Sequence, residues 1–233
     1  MASELGYPVR STEEIEQLAN RLLSDYANHI GSTFVNPPIP VEDIAEHYLG
    51  YSIEITNEGL FSDPQMLGGI DFDQMLILAN VSVEQHDGRY SFTVAHEIGH
   101  HVLHRELFLK KEQSGDDEIL CRDTKQKPQI EKEADRFAAA LLMPSQAIHN
   151  AIQFIDEKSK IRTVGQARGL AAKVVKEGRF ENVSNSAMIN RLIDFGAISE
   201  SIGYQNGRYR RYRQRPSVSQ VVKRTVARLK FWK

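Results

Sequence analysis

One cysteine in 233 residues, Cys121, rules out an internal disulfide and fits a chain kept in a reducing compartment. Cys121 itself reads as a free thiol in a polar segment. No stretch approaches the roughly 18 consecutive apolar residues that a membrane span needs, so no membrane partner is expected. Residues 1–10 lack a basic start followed by an apolar run, and the expected location is cytoplasmic. From Ile202 onward there is no Asp or Glu, although ten of the 29 Lys and Arg residues lie there. That leaves 19 basic against 31 acidic residues in the body, so a formal net charge of -2 conceals a basic tail on an acidic body. Such a tail can hold nucleic acid or an acidic partner, with Tyr204, Tyr209, Tyr212 and Trp232 available for stacking, and reads equally as a solvated segment.

What is present is ordinary for a globular chain: 41% hydrophobic and 26% charged residues, enough to bury a sizeable core. The length suits one principal core with an appendage. Ile15, Leu18, Ala19, Leu22, Leu23 and Tyr26 share one helical face behind the capping candidate Ser11. A short helix is predicted from Val41 to Tyr48. Tyr51 to Ile55 alternates as a strand, Leu67 to Phe72 suits another, and Met75 to Ala79 is an unbroken apolar run. The class is therefore α+β with a small, mostly antiparallel sheet. Met75 to Ala79 reads either as the edge where an extended substrate would pair or as an internal core strand. A helix is expected from about Arg89 to Leu107 and another from Gln129 to Met143, with Ser145 as a capping candidate for the next. Two more, around Val164 to Gly178 and from Ser184 to Gly196, form a helical pair. The expected division is a catalytic body over 1–160, the helical pair over 161–203 and a basic, flexible tail over 204–233.

The chemistry concentrates in His96-Glu97-Ile98-Gly99-His100. Residues four apart stack on one helical face, so both imidazoles can address one tetrahedral zinc, and Glu97 beside them can act as a general base. Val94, Ala95, Ile98 and Val102 lie on one arc and Leu103 and Leu107 on another, which makes this helix central. Imidazoles buried there need partners, and a metal supplies one. For a third donor the helix from Gln129 offers Glu131, Glu133 and Asp135. On the helical wheel Glu131 and Asp135 share an apolar stripe with Ala134, Ala138, Leu141 and Leu142. Glu133 lies about 200° away beside Lys132 and Arg136, on what reads as the solvated face. Glu131 is thus the predicted third ligand of one zinc ion per chain, and Asp135 is placed to hydrogen-bond a ligand imidazole. Tyr90, His104 and Arg89 are candidates for an oxyanion or substrate contact, although His104 reads more readily as a packed or hydrogen-bonded core histidine.

With these residues in place, the chain resembles the ImmA/IrrE family of metallopeptidases. The likeness runs through Pro37-Pro38 and Val41-Glu42-Asp43-Ile44-Ala45, through Arg89 to Ala95 before the first histidine, and through Leu103-His104 after it. It continues in Glu131 to Ala138 with Leu141-Leu142-Met143-Pro144, and in Val183-Ser184 with Arg191-Leu192. The resemblance implies a zincin-like fold, a bacterial or mobile-element origin and limited cleavage of a DNA-binding repressor, often encoded beside the peptidase. It places the ligands on His96, His100 and Glu131 and the base on Glu97. Many relatives have Asn where Asp135 stands, and the family pattern gives the basic tail no role. The competing readings are a toxin-antitoxin partner or a DNA-binding regulator using the helical pair and tail, although in the pair Arg168, Lys173, Lys176, Arg179 and Arg191 are opposed by Glu177, Glu181 and Asp194, which favours packing over groove reading.

Overall fold

The computed structural model describes residues 9–56, 66–84, 86–114, 129–155, 161, 163–199, 202–205 and 208–211. Cys121, Tyr212 and Trp232 lie outside them. Helix α1 (Thr12–His29) starts on Ser11 with a reciprocal capping box. The Ser11 hydroxyl accepts from the Glu14 amide at 3.2 Å, and the Glu14 carboxylate accepts from the Ser11 amide at 2.6 Å. Its apolar face buries Ile15, Ala19, Leu22, Leu23 and Tyr26. Helix α2 (Val41–Asp43) runs directly into a π-helical turn, Ile44–Tyr48, which buries Ile44 and Ala45.

Three strands follow, β1 (Ser52–Thr56), β2 (Gly68–Asp71) and β3 (Leu76–Asn80), in the spatial order β1-β3-β2. β2 and β3 are antiparallel, with Gly69 opposite Leu78, but β1 and β3 are parallel, with Ile53 opposite Ile77. The sheet is therefore mixed rather than mostly antiparallel. The apolar run from Met75 is its central strand, not an edge. Ile77 and Ala79 are fully buried on one face, and both ladder positions of β3 are taken, which leaves β1 and β2 as the edges.

After α3 (Val81–Glu84) comes the long α4 (Asp87–Ser114), and then α5 (Gln129–Leu142). α5 packs on α4 along one side and on α1 along another. Val94, Ala95 and Ile98 of α4 and Phe137, Ala138 and Leu141 of α5 belong to one buried apolar cluster. In α6 (Ser145–Phe154), Ser145 is the first helical residue and not its cap; its hydroxyl donates to Glu16 at 2.9 Å. α7 (Val164–Glu177) has a capping box between Thr163 and Gln166, and α8 (Asn185–Asp194) is capped by Ser184, which accepts from the Ala187 amide at 3.1 Å. β4 (Ile202–Gln205) and β5 (Arg208–Arg211) then form an antiparallel hairpin. The basic segment thus begins as ordered structure, because the buried Tyr209 hydroxyl reaches the Ser186 carbonyl at 2.7 Å and Asn190 at 3.0 Å.

Candidate metal centre

α4 and α5 build the centre by approaching each other closely. A β-carbon on Gly99 would lie 3.2 Å from both the Cα and the carbonyl oxygen of Ala134 and 3.3 Å from the Phe137 Cβ, so a glycine facing an alanine sets the spacing. Three donors then converge across that seam. His96 Nε2 is 3.2 Å from one Glu131 oxygen, His100 Nε2 is 3.2 Å from the other, and the two Nε2 atoms are 3.1 Å apart. Ligands at the bond lengths of tetrahedral zinc are separated by about 3.3 Å, so the triangle fits such an ion with little adjustment. His96 presents Nδ1 to Asp135 at 3.0 Å, which turns its Nε2 toward the other donors. Two imidazole lone pairs facing each other beside a carboxylate require a proton or a cation between them. His96, His100 and Glu131 are the group among the described residues suited to hold a metal.

The electrostatics of the metal-free chain agree. Burial alone would lower the His96 imidazole, but hydrogen bonds to Asp135 and Glu131 and the nearby charge of Glu97 outweigh it and raise it to about 9. Burial alone would raise Glu131, yet the two histidines hold its carboxyl well below the usual carboxylate range. Burial pushes Glu97 upward, opposed by His96 and His100 and assisted by Glu131. Glu97 is 5% exposed and sits against the sheet. A β-carbon on Gly68 of β2 would come within 2.9 Å of its Oε1 and 2.4 Å of Thr93 Cγ2.

A cleft of about 520 Å³ opens over these groups, walled by Gly68, Gly69 and Ile70 of β2 on one side and by Phe92 and Phe108 on another. It adjoins a larger cavity of about 1020 Å³ that shares Leu67, Phe92, Thr93 and Asp135 and extends to α8. Arg89 lines that second cavity and not the cleft. Tyr90 turns its hydroxyl to Glu42, where burial and that carboxylate push it far up, so it is not at the centre. His104 lies behind His100, 1% exposed, and burial together with His100 and Arg10 lowers its imidazole to about 3. It cannot touch a substrate in the cleft.

Glu133 corrects the wheel. It is fully buried, not solvated, because Arg10, Gln129 and His104 of α4 close around its carboxylate. Sequence reasoning also missed Gly68. The pair Gly68-Gly69 ahead of Ile70 was its available signal, since a strand without side chains allows a neighbouring group to approach closely.

Residues 64–173 match the family model Peptidase_M78, described as the IrrE N-terminal-like domain. Among solved structures, a Mycobacterium tuberculosis transcriptional regulator is similar at 14% identity with a TM-score of 0.44, over 79% of this chain and 52% of that one. This chain therefore spans about half the length of that regulator. No curated protein matches it.

Proposed function

We propose, from the match of residues 64–173 to the IrrE N-terminal-like peptidase domain, that this chain is a zinc-dependent endopeptidase making a limited cut in a helix-turn-helix repressor and so relieving repression. The observation that carries the reading is the convergence of His96, His100 and Glu131 at 3.1 to 3.2 Å, with the buried Glu97 beside them. Two imidazoles and one carboxylate suit a catalytic zinc that keeps a coordination position open. Zinc held there would supply a Lewis acid that acidifies water and polarises a scissile carbonyl.

The chain's own residues account for the remaining steps. Glu97 takes a proton from the attacking water and returns it to the leaving amine, and a carboxyl pushed up by burial is better matched to both transfers. Asp135 accepts from His96 Nδ1 and keeps that ring in its donor orientation. The outer edge of β2, not β3, is the strand beside the cleft, and an extended peptide added there would run along Gly68 and Gly69 past Glu97. Tyr90, Arg89 and His104 are turned elsewhere and do not line the cleft, so none of the three supplies the oxyanion contact.

The DNA-binding reading is weaker, because Arg191 is 5% exposed and its guanidinium donates to the Met143 carbonyl, so it is unavailable to a phosphate. The test is incubation of a helix-turn-helix repressor, sought first in the neighbouring gene, with wild type, with Glu97→Gln and with chelator, read by mass spectrometry. One discrete cut, seen only with untreated wild type, is expected. A cut that survives both changes would sink the mechanism.

A further inference from the structure

Glu133 takes no part in the reaction just described, yet four donors are gathered around its buried carboxylate. Its Oε1 accepts from the Arg10 amide at 3.2 Å and from Gln129 Nε2 at 3.1 Å. Its Oε2 faces the Arg10 guanidinium at 3.6 Å and His104 Nε2 at 3.4 Å. A carboxylate at this depth is costly unless its oxygens are satisfied, and these are.

The consequence passes through His104. Its second nitrogen, Nδ1, is 3.2 Å from Nδ1 of His100. Where two ring nitrogens meet, one must donate and the other accept. The carboxylate draws the single N–H of His104 to Nε2 and leaves a lone pair on Nδ1. His100 must then donate from Nδ1, and its own lone pair falls on Nε2, the atom that faces Glu131 and His96. The opposite assignment would put the proton of His100 on Nε2 and remove it as a metal donor.

We propose that Glu133 is a positioning residue acting through His104, holding His100 as the Nδ1–H tautomer with Nε2 aimed at the metal. The two histidines are then set by different carboxylates. Asp135 holds His96 directly, and Glu133 holds His100 across one buried imidazole. This rests on the metal-site reading above, and Arg10 and Gln129 serve it by fixing Glu133.

The test measures zinc affinity of the full chain by chelator competition, alongside the thermal midpoint of the metal-free protein. Glu133→Gln and His104→Phe should each weaken zinc binding by about 10- to 100-fold. His104→Asn, which keeps an acceptor oxygen near the place of Nδ1, should recover most of the loss. In a double-mutant cycle, Glu133→Gln adds little to His104→Phe but multiplies with Asp135→Asn, because only the first pair acts through one ring. A merely structural role would lower the metal-free midpoint and leave zinc affinity of the folded protein unchanged, and that result overturns the proposal. Should His104→Phe not fold, Glu133→Gln decides, since affinity equal to wild type overturns it. A wild type that binds no zinc overturns this proposal and the functional reading together; a wild type that binds zinc no better than its variants overturns this one alone.

Discussion

Two glutamates on one helix, two residues apart, are given opposite tasks by what packs on each side of it. Glu131 meets His96 and His100, whereas Glu133, further round the helix, meets Arg10, Gln129 and His104. Glu131→Ala should therefore cost more zinc affinity than the about 10- to 100-fold typical of a group that supports a ligand from behind. Metal content after dialysis, compared between Glu131→Ala and Glu133→Gln, checks the order. The same residues predict a pH dependence. His96 is raised from its ordinary 6.5 to about 9, so the stability it contributes to metal-free protein is fully present below 6.5 and lost as pH rises through about 9. Glu131 is held below its ordinary 4.5, so its contribution is present above 4.5 and lost as pH falls further. Metal-free protein should melt at a lower temperature near pH 9 than near pH 6, and Asp135→Asn should flatten the difference. Zinc must displace the His96 proton, so its affinity should rise over the same interval.

Between elements, the spacing of α4 and α5 decides whether Glu131 reaches the histidines at all. Gly99→Val would force atoms into Ala134 and Phe137, and overpacking of this kind costs about 1–3 kcal/mol, read as a lower denaturation midpoint. Zinc affinity should fall with it, since α5 carries Glu131 outward. Much of this layer was legible in the sequence. Ser11 and Ser184 mark helix starts because their hydroxyls answer the first free amides, and four-residue spacing puts His96 and His100 on one face. The rest needed tertiary information. A helical wheel assigns a solvated face to the charged side of a helix, but α5 is covered on both sides, so Glu133 was misplaced. An apolar pentapeptide has the same composition at an edge as in a sheet's centre, so β3 was ambiguous and β2, poor in side chains, went unnoticed as the wall beside Glu97. Tyr90 stands six residues before His96 on the same helix, and nothing local says that Glu42 claims its hydroxyl.

Over the whole molecule, the helical pair joins the body through Arg191. Its guanidinium donates twice to the Met143 carbonyl at the end of α5, at 3.1 and 3.0 Å, and also pairs with Glu16 of α1. Arg191→Ala leaves these acceptors unmatched and should destabilise the fold by about 2 kcal/mol, measured by urea unfolding. The larger cavity lies at this junction, between α8 and the metal cleft, so the same change is expected to raise KM for a protein substrate more than it lowers kcat. The central claim is that the chain hydrolyses a peptide bond with Glu97 as base. It is tested most directly by the cleavage rate of Glu97→Gln loaded with one zinc per chain, relative to wild type at equal loading. A rate lower by about 10²- to 10⁴-fold, with zinc affinity retained, is the predicted result; a rate close to that of wild type would contradict it.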